Sequence, residues 1–448
     1  MFPQHRQAFR AHMEDGDVAL FPGATLANRN NDVDFPFRQW SDFWYLSGLH
    51  EPDALMVMCK GIDGAPDDAL FVLPRDPKME IWNGVRLGPE GAVGTLGFAE
   101  GYNLADFDTW FAELLPKAKR LWYGLGQSEA VDARVIKMMS ELRRKIRLGI
   151  EPPHEILDPR PPLGEMRAIK SDAEMELMRR ASGISAEGHL LAMAQCKPGS
   201  YEYELEAVIH NTFRRHGCND AGWSYPAIVA GGNNACILHY TANDQALRDG
   251  DLVLIDAGAE YQGYAGDITR TFPVNGKFRP AQRDVYEVVL AALKASTEIA
   301  RPGYTHEDIH NKSVEVLVDG LLQMKVLTGS AAQIIEEGTY KNWYMHNTGH
   351  WIGLDVHDVG RYKVGGKSID LQPGMVMTIE PGLYFQQTDD TVPEAFRGIG
   401  IRIEDDIHIT GGDPEVLTAA APKEIADVEE ACSAERIAPP TLETPVAS

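Results

Sequence analysis

Two nine-residue stretches restrict what this chain can fold into. Gly250–Gly258 reads GDLVLIDAG and Gly374–Gly382 reads GMVMTIEPG. Each has a glycine, a run of apolar residues, a carboxylate, one more residue and a glycine. A continuous apolar run is the pattern of a strand covered on both faces. An acid at its end is costly to bury unless it is paired, caps a helix or holds a metal. Each stretch follows two helical patterns and a polar, histidine-containing segment. Each is followed by a second strand that carries carboxylates, GDITRTFPV from Gly266 and GIRIEDDIHI from Gly400. Two helix–helix–strand–strand halves predict a duplicated domain with pseudo-two-fold symmetry and acidic residues facing each other across the axis.

The helices have their own signals. Ser171 with Glu174 is a capping box, and Met175, Met178, Ala181, Ile184 and Leu191 follow at helical spacing. A second helix runs to His216 and stops at Gly217. Pro280 and Pro302 bracket a third, and Thr305 with Asp308 opens a fourth. Upstream, short apolar runs (Ala54–Met58, Ala69–Leu73) alternate with helical patterns such as 129–146, which predicts a separate α/β domain. Between the two lies 149–164, whose five prolines argue against regular helix and for a linker. The expected fold class is α/β (α+β), with an N-terminal α/β domain over 1–164, a catalytic domain over 165–418 and a tail over 419–448 that is rich in Ala, Glu and Pro and is expected to be mobile to its last residues (TLETPVAS).

Composition excludes more than it assigns. A net charge of −24 repels phosphate backbones and anionic lipid, so neither nucleic acid nor a membrane surface is an expected partner. There is no run of about 18 apolar residues to span a bilayer. The five cysteines are scattered without a CxxC pair, which points to reduced thiols and a cytoplasmic protein.

The chemistry begins at Asp256, which alone is compatible with a helix cap or a ribose contact. Asp267 lies eleven residues on, past glycines that let the chain turn back beside Asp256. In the second half Glu380 occupies the place of Asp256, and the alternation of Ile401 and Ile403 with Arg402, Glu404 and Asp406 puts Glu404 on a polar strand face. Converging carboxylates repel and hold protons unless cations are present; two divalent ions cancel the formal charge of four. Histidine completes such a site. His346 and His350 stand at i, i+4 in MHNTGHWIGLDVHD, with His357 beyond, but the glutamate of the single-zinc HExxH motif is missing and Thr348-Gly349 disfavours a helix. His239 is a further candidate because it precedes the first carboxylate strand. His5, His12, His189, His210, His216, His306 and His310 are read as ordinary core or surface residues. Oxygen ligands with one imidazole favour Mn, Mg or Co over a thiolate zinc site. Residue chemistry by itself stops at a two-metal hydrolase.

The stretches DAGAEYQGYAGDITRTFPV, HNTGHWIGLDVHDVG, TIEPGLY and GIRIEDD resemble the signatures of the pita-bread metallopeptidases (M24-type). RQWSDFWYLSGLHEPDA and EIWNGVRLG extend the likeness, over nearly the whole chain, to the aminopeptidase P family. The resemblance implies a C-terminal pita-bread domain and an Xaa-Pro aminopeptidase, a hydrolase that cuts between an N-terminal residue and a following proline by attack of a metal-bridging hydroxide. It implies two divalent ions, usually Mn2+, with Co2+ or Zn2+ as alternatives. Asp256 would bind one ion, Asp267 and Glu404 would bridge both, and His350 and Glu380 would hold the second. Glu380 would also transfer the proton, His239 and His357 would touch the substrate carbonyl, and His346 would support the pocket. Arg402, Tyr384 and Asp32 would form a relay behind the ligands. Trp82 would line a pocket, its own or a neighbouring subunit's, in a homo-oligomer, dimer or tetramer. Rival expectations are prolidase, which shares the ligands but takes dipeptides, and a non-catalytic binding protein on the same fold.

Overall fold

The computed structural model describes residues 1–218 and 222–434, and the chain divides into two compact units, Met1–Met166 and Arg167–Ser448. The first unit is built on a six-stranded sheet. In sheet order its strands are Glu100–Asn103, Asp68–Val72, Leu55–Lys60, Asp17–Pro22, Arg120–Tyr123 and Glu155–Leu157. Asp17–Pro22 runs antiparallel to one neighbour and parallel to the other. One core forms where Val18, Leu20, Val57 and Phe71 meet Phe107, Phe111, Val135 and Met139 of two amphipathic helices. The short helix Pro77–Asn83 differs, because none of its residues is buried.

In the second unit the expected helices appear in order. Asp172–Gln195 is opened by the Ser171–Glu174 capping box, and Glu202–Arg215 follows. Pro280–Glu298 and His306–Gln323 repeat the pair, the latter capped by Thr305 and Asp308. Each helix pair precedes one long antiparallel ribbon. In the first ribbon Leu252 faces Pro273 and Asp256 faces Thr269. The same register continues to Tyr261 opposite Tyr264. The turn between them has positive φ at both Gln262 and Gly263, which matches the twist of a tight hairpin. In the second ribbon Val376 faces His408 and Ile379 faces Asp405, while Gly382 faces Arg402 and Phe385 faces Ile399. Equal numbers of residues lie between, so the register is unbroken, and Ile403 N donates to Pro381 O.

Two local expectations are corrected. The stretch 149–164 is not free of helix, since Arg160–Ala168 is helical. Pro161 and Pro162 sit in its first turn, where backbone N–H groups have no intrahelical acceptor to lose. The start of the tail is also packed: Ile425–Ser433 is a helix that buries Ile425 and Val428, and Glu429 pairs with Lys277 and Arg283. The terminal TLETPVAS lies outside the described residues.

Candidate metal centre

Register determines which acids meet. On the first ribbon Asp256 faces Thr269, and two residues on, by the same pairing, Asp267 faces Gly258. A side chain at 258 would lie 1.7 Å from Gly266 O, so only glycine fits there. On the second ribbon Glu380 stands opposite Glu404, and Arg402 and Tyr384 follow on the same face. The polar faces of the two ribbons are joined: Glu404 N donates to Thr269 O, Asp267 N to Asp406 Oδ2, and Thr271 Oγ1 to Arg402 O.

Asp256, Asp267, Glu380 and Glu404 line one cavity of about 650 Å³. His350 joins them from the loop between the helices and the ribbon of the second half, its Nε2 3.4 Å from Asp267 and 3.8 Å from Glu380. Ligand atoms of Asp267, His350 and Glu404 all lie within 4.8 Å of one another. Against four carboxylates stand, among the described residues lining the cavity, the cationic groups of His350 and of Arg402, whose Nη2 donates to Asp256 at 2.6 Å. The excess of negative charge out of water has the expected result. Burial raises the Asp256 carboxyl, lifts Glu380 to about 7 and pushes Glu404 far above the usual range, with Asp267 adding repulsion in each case. Burial disfavours the imidazolium of His350, yet its bond to Asp267 and the adjacent charges raise it to about 9. A set of buried oxygens held short of ionisation, with one imidazole among them, fits divalent cations.

The remaining sequence candidates divide by unit. His239, His346 and His357 line the same cavity. The His357 ring meets that of His350 edge-on at 4.4 Å between centroids, and burial lowers its pKa. His346 is pushed down to about 4, chiefly by burial, and Nε2 lies 2.8 Å from Tyr384 Oη. Arg402 Nη1 donates to that hydroxyl at 3.1 Å, so Tyr384, Arg402 and His346 form one connected frame. Asp32 and Trp82 belong to the first unit, and both are exposed.

Several contributors carried no readable signal. The Tyr225 hydroxyl reaches Asp256 Oδ1 at 2.6 Å and Asp267 Oδ1 at 2.5 Å, a half-buried clamp on two acids 31 and 42 residues away. Thr269 Oγ1 donates to Glu404 and accepts from Arg402. His306 and His310 also reach the loop that carries His350, although residue type alone marked them as ordinary. Neither spacing nor composition could have selected them, because each acts on a partner distant in sequence.

The sequence matches the model of Metallopeptidase family M24 over residues 176–411 and that of the aminopeptidase P N-terminal domain over residues 2–122. It is 44% identical to an Xaa-Pro aminopeptidase of Escherichia coli, over 96% of each chain. It is 34% identical to human Xaa-Pro aminopeptidase 3, over 90% of this chain and 78% of that protein. Among solved structures it superposes on aminopeptidase PepP of Pseudomonas aeruginosa with a TM-score of 0.94 and 42% identity, covering 96% of this chain and 97% of that one. A zinc-substituted E. coli aminopeptidase P in complex with product gives 0.93 and 43%, with the same coverage.

Proposed function

The chain belongs to metallopeptidase family M24 and is a metallo-aminopeptidase that releases an N-terminal residue standing before proline, and from that premise we propose that Asp256, Asp267, His350, Glu380 and Glu404 hold two divalent ions, manganese in the cell. The observation that carries this reading is the meeting of four carboxylates, Asp267 and Glu404 buried and Asp256 and Glu380 half-buried, and one imidazole with a single guanidinium to offset them. What the ions supply is an acidified water and polarisation of the scissile carbonyl.

The protein groups do the rest. Glu380 would take the proton of the attacking water and return it to the leaving proline nitrogen. His357, kept neutral by burial, and His239 donate N–H groups to the carbonyl oxygen as it gains charge. The bond before proline is a tertiary amide without N–H, so recognition through the carbonyl side suits this substrate. Arg402, Tyr384 and His346 hold the ligands from behind.

Partners and location follow from surface and thiol chemistry. The substrates are peptides with proline in second position. The Pro77–Asn83 helix leaves Ile81 81% and Trp82 82% exposed, which supports a homo-oligomer, dimer or tetramer, in which Trp82 is covered. All five cysteines are free, and burial raises each thiol to about 12; inert thiols of this kind suit the cytoplasm. No helix among the described residues is long and apolar enough to cross a membrane.

The test is hydrolysis of Arg-Pro-Pro beside the dipeptide Ala-Pro after reconstitution with manganese, with Glu380→Gln as control. Cleavage of the tripeptide, lost in the variant, is the expected result. Cleavage of the dipeptide alone would make the protein a prolidase, and cleavage of neither with Mn, Co or Zn would overturn the assignment.

A further inference from the structure

His306 and His310 stand one turn apart on a single face of the His306–Gln323 helix. They reach two consecutive residues of the loop that leads to His350. His306 Nε2 lies 2.7 Å from Gly349 O, and because a carbonyl only accepts, this nitrogen carries the proton. His310 Nδ1 lies 2.9 Å from Thr348 Oγ1, which also meets Tyr344 Oη at 2.6 Å. The His306 ring is itself fixed, edge-on to Tyr362 at 4.8 Å between centroids, and Tyr362 Oη accepts from Trp351 N.

The contacted segment has no slack on its other side. Thr348–Ile352 lies along the Val376–Ile379 strand as an added rung: Glu380 N donates to Thr348 O at 2.7 Å and Thr378 N to His350 O at 2.9 Å. His350 N donates to Thr378 Oγ1, and a side chain at 349 would sit 1.8 Å from Thr378 O. One ladder therefore places both His350 and the backbone of Glu380, with the strand on one side and the two imidazoles on the other. His350 Nδ1 is engaged by Trp351 O, which leaves Nε2 to face Asp267 and Glu380.

We propose that His306 and His310 are positioning residues of the metal centre, setting His350 Nε2 and the Glu380 carboxylate through the Gly349 carbonyl and the Thr348 hydroxyl. The proposal rests on the metal-centre reading above. Groups that orient a ligand without touching the metal change metal affinity by about 10- to 100-fold when removed.

The experiment is calorimetric titration of chelator-stripped protein with Mn2+, alongside the thermal midpoint of the same metal-free samples. His306→Ala is expected to weaken manganese binding about tenfold with a nearly unchanged metal-free midpoint. His306→Gln, whose amide N–H reaches the same carbonyl, is expected to bind within about threefold of the parent. His310→Ala and His310→Asn should show the same pattern more weakly. Parent-like affinity in His306→Ala overturns the proposal. So does a glutamine variant as weak as alanine, or an affinity loss that follows a matching fall in the midpoint, which would mark a merely structural role. Should alanine prevent folding, the glutamine and asparagine variants still decide it, since poor metal binding by folded protein would remove the donor argument. Asp267→Ala separates the two levels. A parent that binds manganese no better than this variant overturns the metal-centre reading and the proposal together.

Discussion

The two ribbons of the catalytic unit share a design and differ in how far apart they set their acids. On the first, Asp256 and Asp267 are offset by one diagonal step, bridged by the Tyr225 hydroxyl and flanked by Arg402. On the second, Glu380 and Glu404 stand directly opposite, the arrangement in which like charges on a sheet repel most. The turns differ in the same sense. A two-residue hairpin closes the first ribbon, whereas the longer 386–398 segment joins the strands of the second, where Gly398 N donates to Phe385 O. The acids of the first ribbon thus have a hydroxyl and a guanidinium within hydrogen-bond reach, and the second has directly opposed acids that call for cations. Duplication accounts for the strands and the acids; it does not account for the balance of charge around them.

That contrast is tested most severely by removing one acid from each ribbon. Asp256→Asn and Glu380→Gln should each lower kcat/KM on the order of a thousandfold in steady-state assays with saturating manganese. Their effects on the metal-free fold should part. Asp256→Asn leaves Arg402, 4% exposed, without its carboxylate partner, and breaking a buried pair costs about 3 kcal/mol. The metal-free thermal midpoint should fall on the order of 8 °C. An unchanged midpoint would show that the first ribbon is as unsatisfied as the second.

A smaller effect tests the loops that bring histidines to each ribbon. In the first half Glu202 accepts from Gly231 N, Asn234 Nδ2, Tyr240 Oη and Gln245 N, fixing both ends of the loop that carries His239. In the second half the equivalent helix uses His306 and His310. Glu202→Gln turns an amide NH2 toward donors, and a loss of about 2 kcal/mol should lower the midpoint by about 5 °C. Calorimetry on the intact protein measures it directly. A shift under a degree would mean the loop is held elsewhere.

These loops also mark where sequence reading ended. The apolar runs, caps and strand-end acids were legible because each is a local pattern: Ser171 with Glu174 opens a helix, and Leu252–Ile255 can only be a buried strand. Asp256 and Glu380 stand out because an acid at a buried strand end needs a reason, Asp267 because glycines let the chain return beside Asp256, and Glu404 by its place on an alternating polar face. Tyr225, Thr269, Glu202, His306 and His310 did not, since a hydroxyl, carboxylate or imidazole acting across tens of residues leaves no period behind. The prolines at 161 and 162 misled for a related reason. Their effect depends on helix position, which composition does not state, and the first turn tolerates them.

The smallest expected effect is the most specific to the second ribbon. Without metal, burial holds the Glu380 carboxyl at about 7 against an ordinary value of 4.5. A raised carboxyl binds its proton more tightly in the folded than in the unfolded chain. Its contribution is therefore fully present below about pH 4.5 and is lost as pH rises through 7. Glutamine is neutral throughout and keeps the uncharged state at every pH. Metal-free Glu380→Gln should then match the parent midpoint near pH 5 and exceed it by a few degrees at pH 8. Asp256→Asn should remain below the parent at both. Manganese should reverse the order at pH 8, stabilising the parent by mass action and the glutamine variant far less, because only the carboxylate is a full ligand. A glutamine variant less stable than the metal-free parent at pH 8 would mean that Glu380 is already neutralised by the protein, with His350 sufficient as its counter-charge and no electrostatic need for a second cation.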